Sequence, residues 1–150
     1  MNNYFPSTTS HGTLLGLRIT CFFFAIAAVI VCRIGNPNYI AIGLTGGSSL
    51  WSLIHLILLQ LRKAPHAGFL VALDLFAAVT NIVFGVLVIV GTACITSGSA
   101  TILYSSALVI ASSALQVVAG VAHSISFVFA CRDVHVRRRA PSYDFAGREK

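Results

Sequence analysis

The sequence predicts an all-α polytopic membrane protein, an antiparallel bundle of four transmembrane helices. Of its 150 residues 57% are hydrophobic and 9% are charged, whereas about 25% of the residues in soluble domains are charged. A soluble fold of this length could not bury so much apolar surface. The apolar residues also fall into four long runs with short polar joins between them, which is the arrangement that a bilayer favours.

The first two runs predict helices near residues 14–32 and 39–61. Crossing about 30 Å of hydrocarbon requires roughly 20 mostly apolar residues. Arg18 lies about one turn inside the first run, and no basic residue precedes it, so the run is interpreted as a retained helix rather than a cleaved signal peptide. The second run contains Gly43 and Gly47, whose spacing favours close helix packing, either within the bundle or at a dimer face.

The last two runs predict helices near residues 69–95 and 102–131. Neither run alternates polar and apolar residues as a barrel strand would. Short joins make successive helices antiparallel neighbours. The predicted organisation is a cytoplasmic N-terminal segment at 1–12, the transmembrane domain at 13–132, and a basic, disordered cytoplasmic tail at 133–150.

Lysine and arginine are distributed unequally between the two sides of the predicted bundle. With the N-terminus inside, the outer side holds only Arg33, and the inner side holds Arg18, Arg62, Lys63, Arg132, Arg137, Arg138 and Arg139. Because positive residues concentrate on the cytoplasmic side of membrane proteins, both termini are predicted to be cytoplasmic. The location is then a plasma membrane or an endomembrane.

The net charge is +6, and six of the ten lysine and arginine residues lie at or after Arg132, immediately after the last apolar run. No basic face with interleaved aromatic residues is present to read nucleic acid. The tail residues Arg132, Arg137, Arg138 and Arg139 are therefore predicted to face anionic lipids of the bilayer. Cys131 adjoins this boundary and is a candidate for S-palmitoylation.

Arg18 and Asp74 are the charged residues inside the predicted spans. Each lies four or five residues from the cytoplasmic end of its helix, which places both about 6–8 Å deep. One interpretation is a structural ion pair that fixes packing between the first and third helices. Two others remain open: Arg18 extends to the lipid phosphates, or the pair forms part of a transport path.

Uncharged polar residues accompany this pair. His55 reaches a similar depth, His123 is somewhat deeper, and Asn81 and Gln116 each lie seven residues from Asp74 and His123 respectively. Residues seven apart share a helix face. The predicted polar cluster therefore comprises His55, Asn81, Gln116 and His123.

The sequence resembles MARVEL-domain proteins, especially the small MARVEL-like proteins of fungi, and is similar to the plant Casparian-strip membrane protein family. The resemblance rests on four spans with cytoplasmic termini, a short basic inner loop, and two segments, LLGLR ending at Arg18 and LDLFAA around Asp74. It covers about residues 12–135. It implies a role in membrane-domain organisation, membrane apposition or vesicle trafficking, without enzyme chemistry. The very short outer loops argue against cell–cell adhesion.

The sequence contains no recognisable catalytic, metal-binding or phosphate-binding motif. It has no cysteine–histidine spacing for a metal, no glycine-rich phosphate loop and no nucleophile–base pattern, so neither an enzyme nor a cofactor is predicted. Three hypotheses follow: a non-enzymatic membrane organiser, a small transporter or channel subunit that uses the Arg/Asp/His cluster, and an accessory subunit of a larger membrane complex. The partners expected are lipids, other copies of the chain, or other membrane proteins.

Overall fold

The computed structural model describes residues 11–35, 39–61, 67–95 and 100–139, and within these ranges every residue is helical except Leu61, which lies in a turn. The helices are α1 (His11–Gly35), α2 (Tyr39–Gln60), α3 (Ala67–Ile95) and α4 (Ala100–Arg139). The predicted all-α, four-helix architecture is confirmed. The predicted helix bounds differ from these by only a few residues, except at the end of α4.

All four helices are long and apolar enough to cross a membrane, over Gly12–Gly35, Tyr39–Gln60, Gly68–Ala93 and Ala107–Arg132. In lipid the backbone N–H and C=O groups have no water to bond, and a continuous helix satisfies them internally. The chain is therefore built as a multi-pass integral membrane protein.

The end of α4 departs from the prediction. The helix was expected to end near residue 131 and to be followed by disorder, but it continues to Arg139. No glycine or proline interrupts residues 131–139, and the first helix-breaking residue is Pro141, which disfavours helix in the residue before it. Residues 133–139 of the predicted tail are thus helical, whereas 140–150, and 1–10 of the predicted N-terminal segment, lie outside the described residues.

The helices form a ring in which neighbours in sequence are neighbours in space. α4 packs along both α3 and α1, α1 packs against α2, and the α2–α3 contact is the slightest of the four. Gly35, at the end of α1, lies against Leu108 near the start of α4, so these helices are antiparallel. The end at which α1 begins is called the N-terminal end of the bundle below.

Two glycines bring α3 and α4 into close contact. A Cβ added at Gly85 would lie 2.9 Å from the Ser113 carbonyl oxygen, and one added at Gly120 would lie 3.0 Å from the Ile82 nitrogen. Backbone approaches of this kind are typical of membrane helices packed through small residues. They fix the register of α3 against α4.

The interior of the bundle is polar or small, and its lipid-facing exterior is apolar. The bulkiest fully buried side chains are those of His123, Asn81 and Asp74. The buried face of α2 consists of Thr45, Ser48, Ser49, Trp51, Ser52 and His55. Large apolar side chains such as Phe23 and Leu87 point outward instead. This is the distribution expected when lipid replaces water as the solvent.

Gly43 and Gly47 lie on the outer face of α2. Both are exposed, and a Cβ added to either would meet nothing within 4 Å. Packing of this pair within the bundle, one of the two alternatives open from the sequence, is therefore wrong. The spacing predicted that the two glycines share one face of α2, but it did not predict that this face lies on the outside of the bundle.

Candidate functional site

Asp74 is the centre of the buried polar interior. Both of its carboxylate oxygens bond the Arg18 guanidinium on α1. Its Oδ1 also accepts a hydrogen bond from Trp51 Nε1 on α2 at 3.1 Å, and it lies 3.2 Å from His123 Nδ1 on α4. The carboxylate on α3 thus binds one residue from each of the other three helices. Arg18, Trp51, Asp74 and His123 are called the Asp74 cluster below.

Arg18 points into the bundle rather than towards the surface. Only 3% of it is exposed, and its two terminal nitrogens each bond one oxygen of Asp74. α1 and α3 are diagonal in the ring, so the long arginine side chain spans the centre. The room for it arises because the next inward residues of α1, Cys21 and Ala25, are small and fully buried. Arg18 therefore forms the ion pair with Asp74 and does not extend to the lipid phosphates.

Trp51 is held by rings on both sides. It stacks on His55 with centroids 5.7 Å apart and an interplanar angle of 18°, and it meets Phe69 of α3 edge-on at 5.6 Å and 89°. Buried tryptophan needs a partner for its N–H, and Asp74 supplies it. Sequence reasoning missed Trp51, although it is the only tryptophan in the chain and lies one turn from His55.

His123 engages both of its ring nitrogens. Nδ1 faces Asp74, and Nε2 lies 3.4 Å from the Ser52 hydroxyl on α2. Both His123 and Ser52 are fully buried. The sequence did not single out Ser52, because α2 carries several hydroxyl side chains. Only its position along α2, at the level of His123 on α4, distinguishes it.

The predicted polar cluster divides into separate parts. His55, Asn81 and Gln116 are buried as expected, but their hydrogen bonds do not join them to Asp74 as that of His123 does. The Asn81 amide nitrogen donates to the Ala77 carbonyl at 2.7 Å. Within the part of the chain that the structure describes, three buried atoms have no partner: His55 Nδ1, Asn81 Oδ1 and Gln116 Nε2.

The basic residues of the predicted tail follow the bundle along α4. Arg132 is exposed, and residues 137–139 form the last turn of the helix. Cys131 is half-buried and free. Arg62 and Lys63 lie outside the described residues.

Ser52, His123 and Asp74 are connected in the order of a hydrolase triad, which sequence spacing did not reveal. Ser52 is fully buried, however, and 3.4 Å is long for a hydrogen bond from a hydroxyl. Ser52 also lies inside α2, where backbone N–H groups bond carbonyls of the same helix. Those groups are not free to form an oxyanion hole. Among the described residues no group of three or more His, Cys, Asp or Glu could hold a metal ion.

No protein-family model, no curated protein and no solved structure matches this chain. Every charged group in the Asp74 cluster is bonded to another member, and each bond links two different helices. Such an arrangement holds the four helices together.

Proposed function

We propose that this chain is a non-enzymatic membrane protein that organises membrane domains or acts in membrane trafficking and apposition, as its resemblance to MARVEL-domain proteins implies. The observation that supports the proposal is that Asp74 bonds one residue from each of the other three helices. The interior charges are used to fix the bundle. The protein then acts through its outer surface, which faces lipids and other membrane proteins.

A transport path receives less support. Carriers commonly place their sites at broken helices near mid-membrane, whereas α1 to α4 are each continuous. The ionisable residues Arg18, Asp74 and His123 are at most 3% exposed. A charge that is buried and bonded on several sides is expensive to release, so the cluster is better suited to a permanent contact than to a cycle of binding and release.

The proposed orientation has both termini in the cytosol. It follows from the lysine and arginine asymmetry, and it puts the N-terminal end of the bundle, with Arg18 and Asp74, in the inner half of the bilayer. The last turn of α4, with Arg137, Arg138 and Arg139, then lies on the cytosolic side, where these residues can contact the anionic inner leaflet.

The experiment that tests the proposal follows a tagged chain in its native membrane and after mild-detergent purification. Static membrane patches, without one stoichiometric membrane partner, support the organiser. Stable co-purification with a single complex instead identifies an accessory subunit and overturns the proposal.

Two further measurements test the rival chemistries on the same purified protein. Proton or ion flux into vesicles that a folded Arg18→Gln, Asp74→Asn double variant has lost, and that Arg33→Gln retains, would establish transport. Arg33 is the matched control because it is exposed at the opposite end of α1. Covalent labelling of Ser52 by a fluorophosphonate would establish an enzyme. We expect neither flux nor labelling.

A further inference from the structure

A second polar layer lies beyond the Asp74 cluster. Asn81 is seven residues after Asp74 on α3, and Gln116 is seven residues before His123 on α4. Seven residues are close to two helical turns, or about 10.5 Å. The layer therefore lies about 10 Å further from the N-terminal end of the bundle, near the middle of the spans.

The register of α3 and α4 places Asn81 opposite Gln116. Asp74 and His123 are in contact, and in an antiparallel pair a step of seven residues forward on one helix matches seven back on the other. The close approaches made by Gly85 and Gly120 lie on either side of this level. The two amides thus share a narrow space between closely packed backbones.

The two amides present complementary unpartnered atoms. Asn81 is 0% and Gln116 is 3% exposed. Asn81 Oδ1 is an acceptor and Gln116 Nε2 is a donor, and among the described residues neither has a partner. Leaving a buried amide atom without a hydrogen bond is unfavourable, so two such atoms at one level point to a bound molecule.

We propose that Asn81 and Gln116 bind a single water molecule between α3 and α4 in the middle of the bundle. The ligand must donate to Asn81 Oδ1 and accept from Gln116 Nε2, and a water does both. A metal ion requires several oxygen ligands, and an anion requires several hydrogen-bond donors. The two unpartnered atoms of this layer are one acceptor and one donor. Burial of both residues keeps lipid hydroxyls out. The site does not depend on the function proposed above.

The chain offers a simple test, because Gln60 and Gln116 are its only glutamines. The full protein is labelled with ¹⁵N at the glutamine side chains and reconstituted in vesicles of deuterated lipid. Solid-state NMR then measures magnetisation transfer from water to each amide. Gln60, exposed at the end of α2, is the positive control. We expect magnetisation transfer from water to both amides. Gln60 receives it from bulk water, and Gln116 receives it from the bound water.

Variants separate a bound water from general leakage into the bundle. Asn81→Leu removes the acceptor and is expected to abolish the Gln116 signal while leaving that of Gln60. Thr80→Val is the matched control, since Thr80 bonds its own helix backbone at the Phe76 carbonyl and should change neither. If wild-type Gln116 shows no transfer from water, or a direct bond to Asn81, the proposal is overturned whether or not the variants fold.

Discussion

Ser52 on α2 and His123 on α4 face each other across the centre of the bundle, with Oγ 3.4 Å from Nε2. The helices that carry them are diagonal in the ring, as are the helices joined by Arg18 and Asp74. The two diagonal links meet where His123 contacts Asp74. Polar contacts therefore cross the bundle along both diagonals, and Asp74 also bonds the neighbouring helices through Trp51 and His123.

The Arg18–Asp74 pair should behave as a buried ion pair in mutagenesis. Removing one partner strands the other charge, which costs about 3–5 kcal/mol, so Arg18→Gln or Asp74→Asn alone should lower the yield of folded protein. The double change should recover most of it, as measured by size-exclusion chromatography in mild detergent. Arg33→Gln, at an exposed arginine, should have no effect. A double variant no better folded than the worse single would contradict the structural role.

Trp51→Phe isolates one hydrogen bond of the Asp74 cluster. Phenylalanine keeps an aromatic ring against His55 and Phe69 but loses the N–H that Asp74 accepts. A hydrogen bond to a charged group contributes about 1.5–3 kcal/mol, and the unfolding free energy in a detergent titration should fall by that amount. Trp51→Leu, which also removes the ring contacts, should cost more. Equal stability of wild type and Trp51→Phe would mean that the indole N–H plays no part.

Alanine at Gly85 or Gly120 should separate α3 from α4. The added Cβ would meet Val117 Cγ2 or Ile82 Cγ1 at 2.7 Å and would also press on backbone atoms. Overpacking of this kind typically costs about 1–3 kcal/mol. Gly47→Ala is the control, because its Cβ would have nothing within 4 Å. The comparison is made by thermal unfolding, and a Gly47→Ala as damaging as Gly85→Ala would refute the packing described.

The basic end of α4 should bind anionic lipid. Each arginine near an anionic leaflet contributes about 1 kcal/mol, so changing Arg137, Arg138 and Arg139 together to Gln should release this segment. Energy transfer from a dye at Lys150 to a labelled headgroup in vesicles measures the contact. Transfer should drop in anionic vesicles for the triple variant and not for Arg33→Gln. Equal transfer in neutral and anionic vesicles for the wild type would show that charge is not the cause.

The orientation is open to a direct test. With both termini in the cytosol, an epitope tag placed after Lys150 should be digested by protease added to the cytosolic side of sealed membranes. A tag inserted at Pro37, in the join that follows α1, should be protected. Protection of the C-terminal tag from that side would reverse the topology.

The sequence predicted the four helices because each needs only an apolar run of sufficient length. It also placed Arg18 and Asp74 at one depth in lipid, which made an ion pair one of three open interpretations. The sequence did not reveal Trp51 and Ser52, because neither residue is ionisable and depth in the membrane is informative mainly for ionisable residues. Trp51 nevertheless bonds Asp74 through its indole N–H, and the Ser52 hydroxyl faces His123. Which way Gly43 and Gly47 face depends on contacts between helices that a spacing pattern does not encode.

The end of α4 shows a different limit. Charge composition predicted disorder from residue 133, but the local backbone has no residue that stops a helix before Pro141. Once a helix has formed, each added residue brings its own hydrogen bond. The helix therefore runs on past the apolar segment to Arg139, and its 40 residues span about 60 Å.

The order of the helices along the chain sets the order in which Asp74 and its three partners are synthesised. The ribosome delivers α1 and α2 first, so Arg18 and Trp51 precede the carboxylate that α3 brings. Insertion of that carboxylate in a lone helix would be unfavourable. His123 arrives only when most of α4 has left the ribosome. A nascent chain stopped after α3 would contain two of the three partners of Asp74, Arg18 and Trp51, and would lack His123.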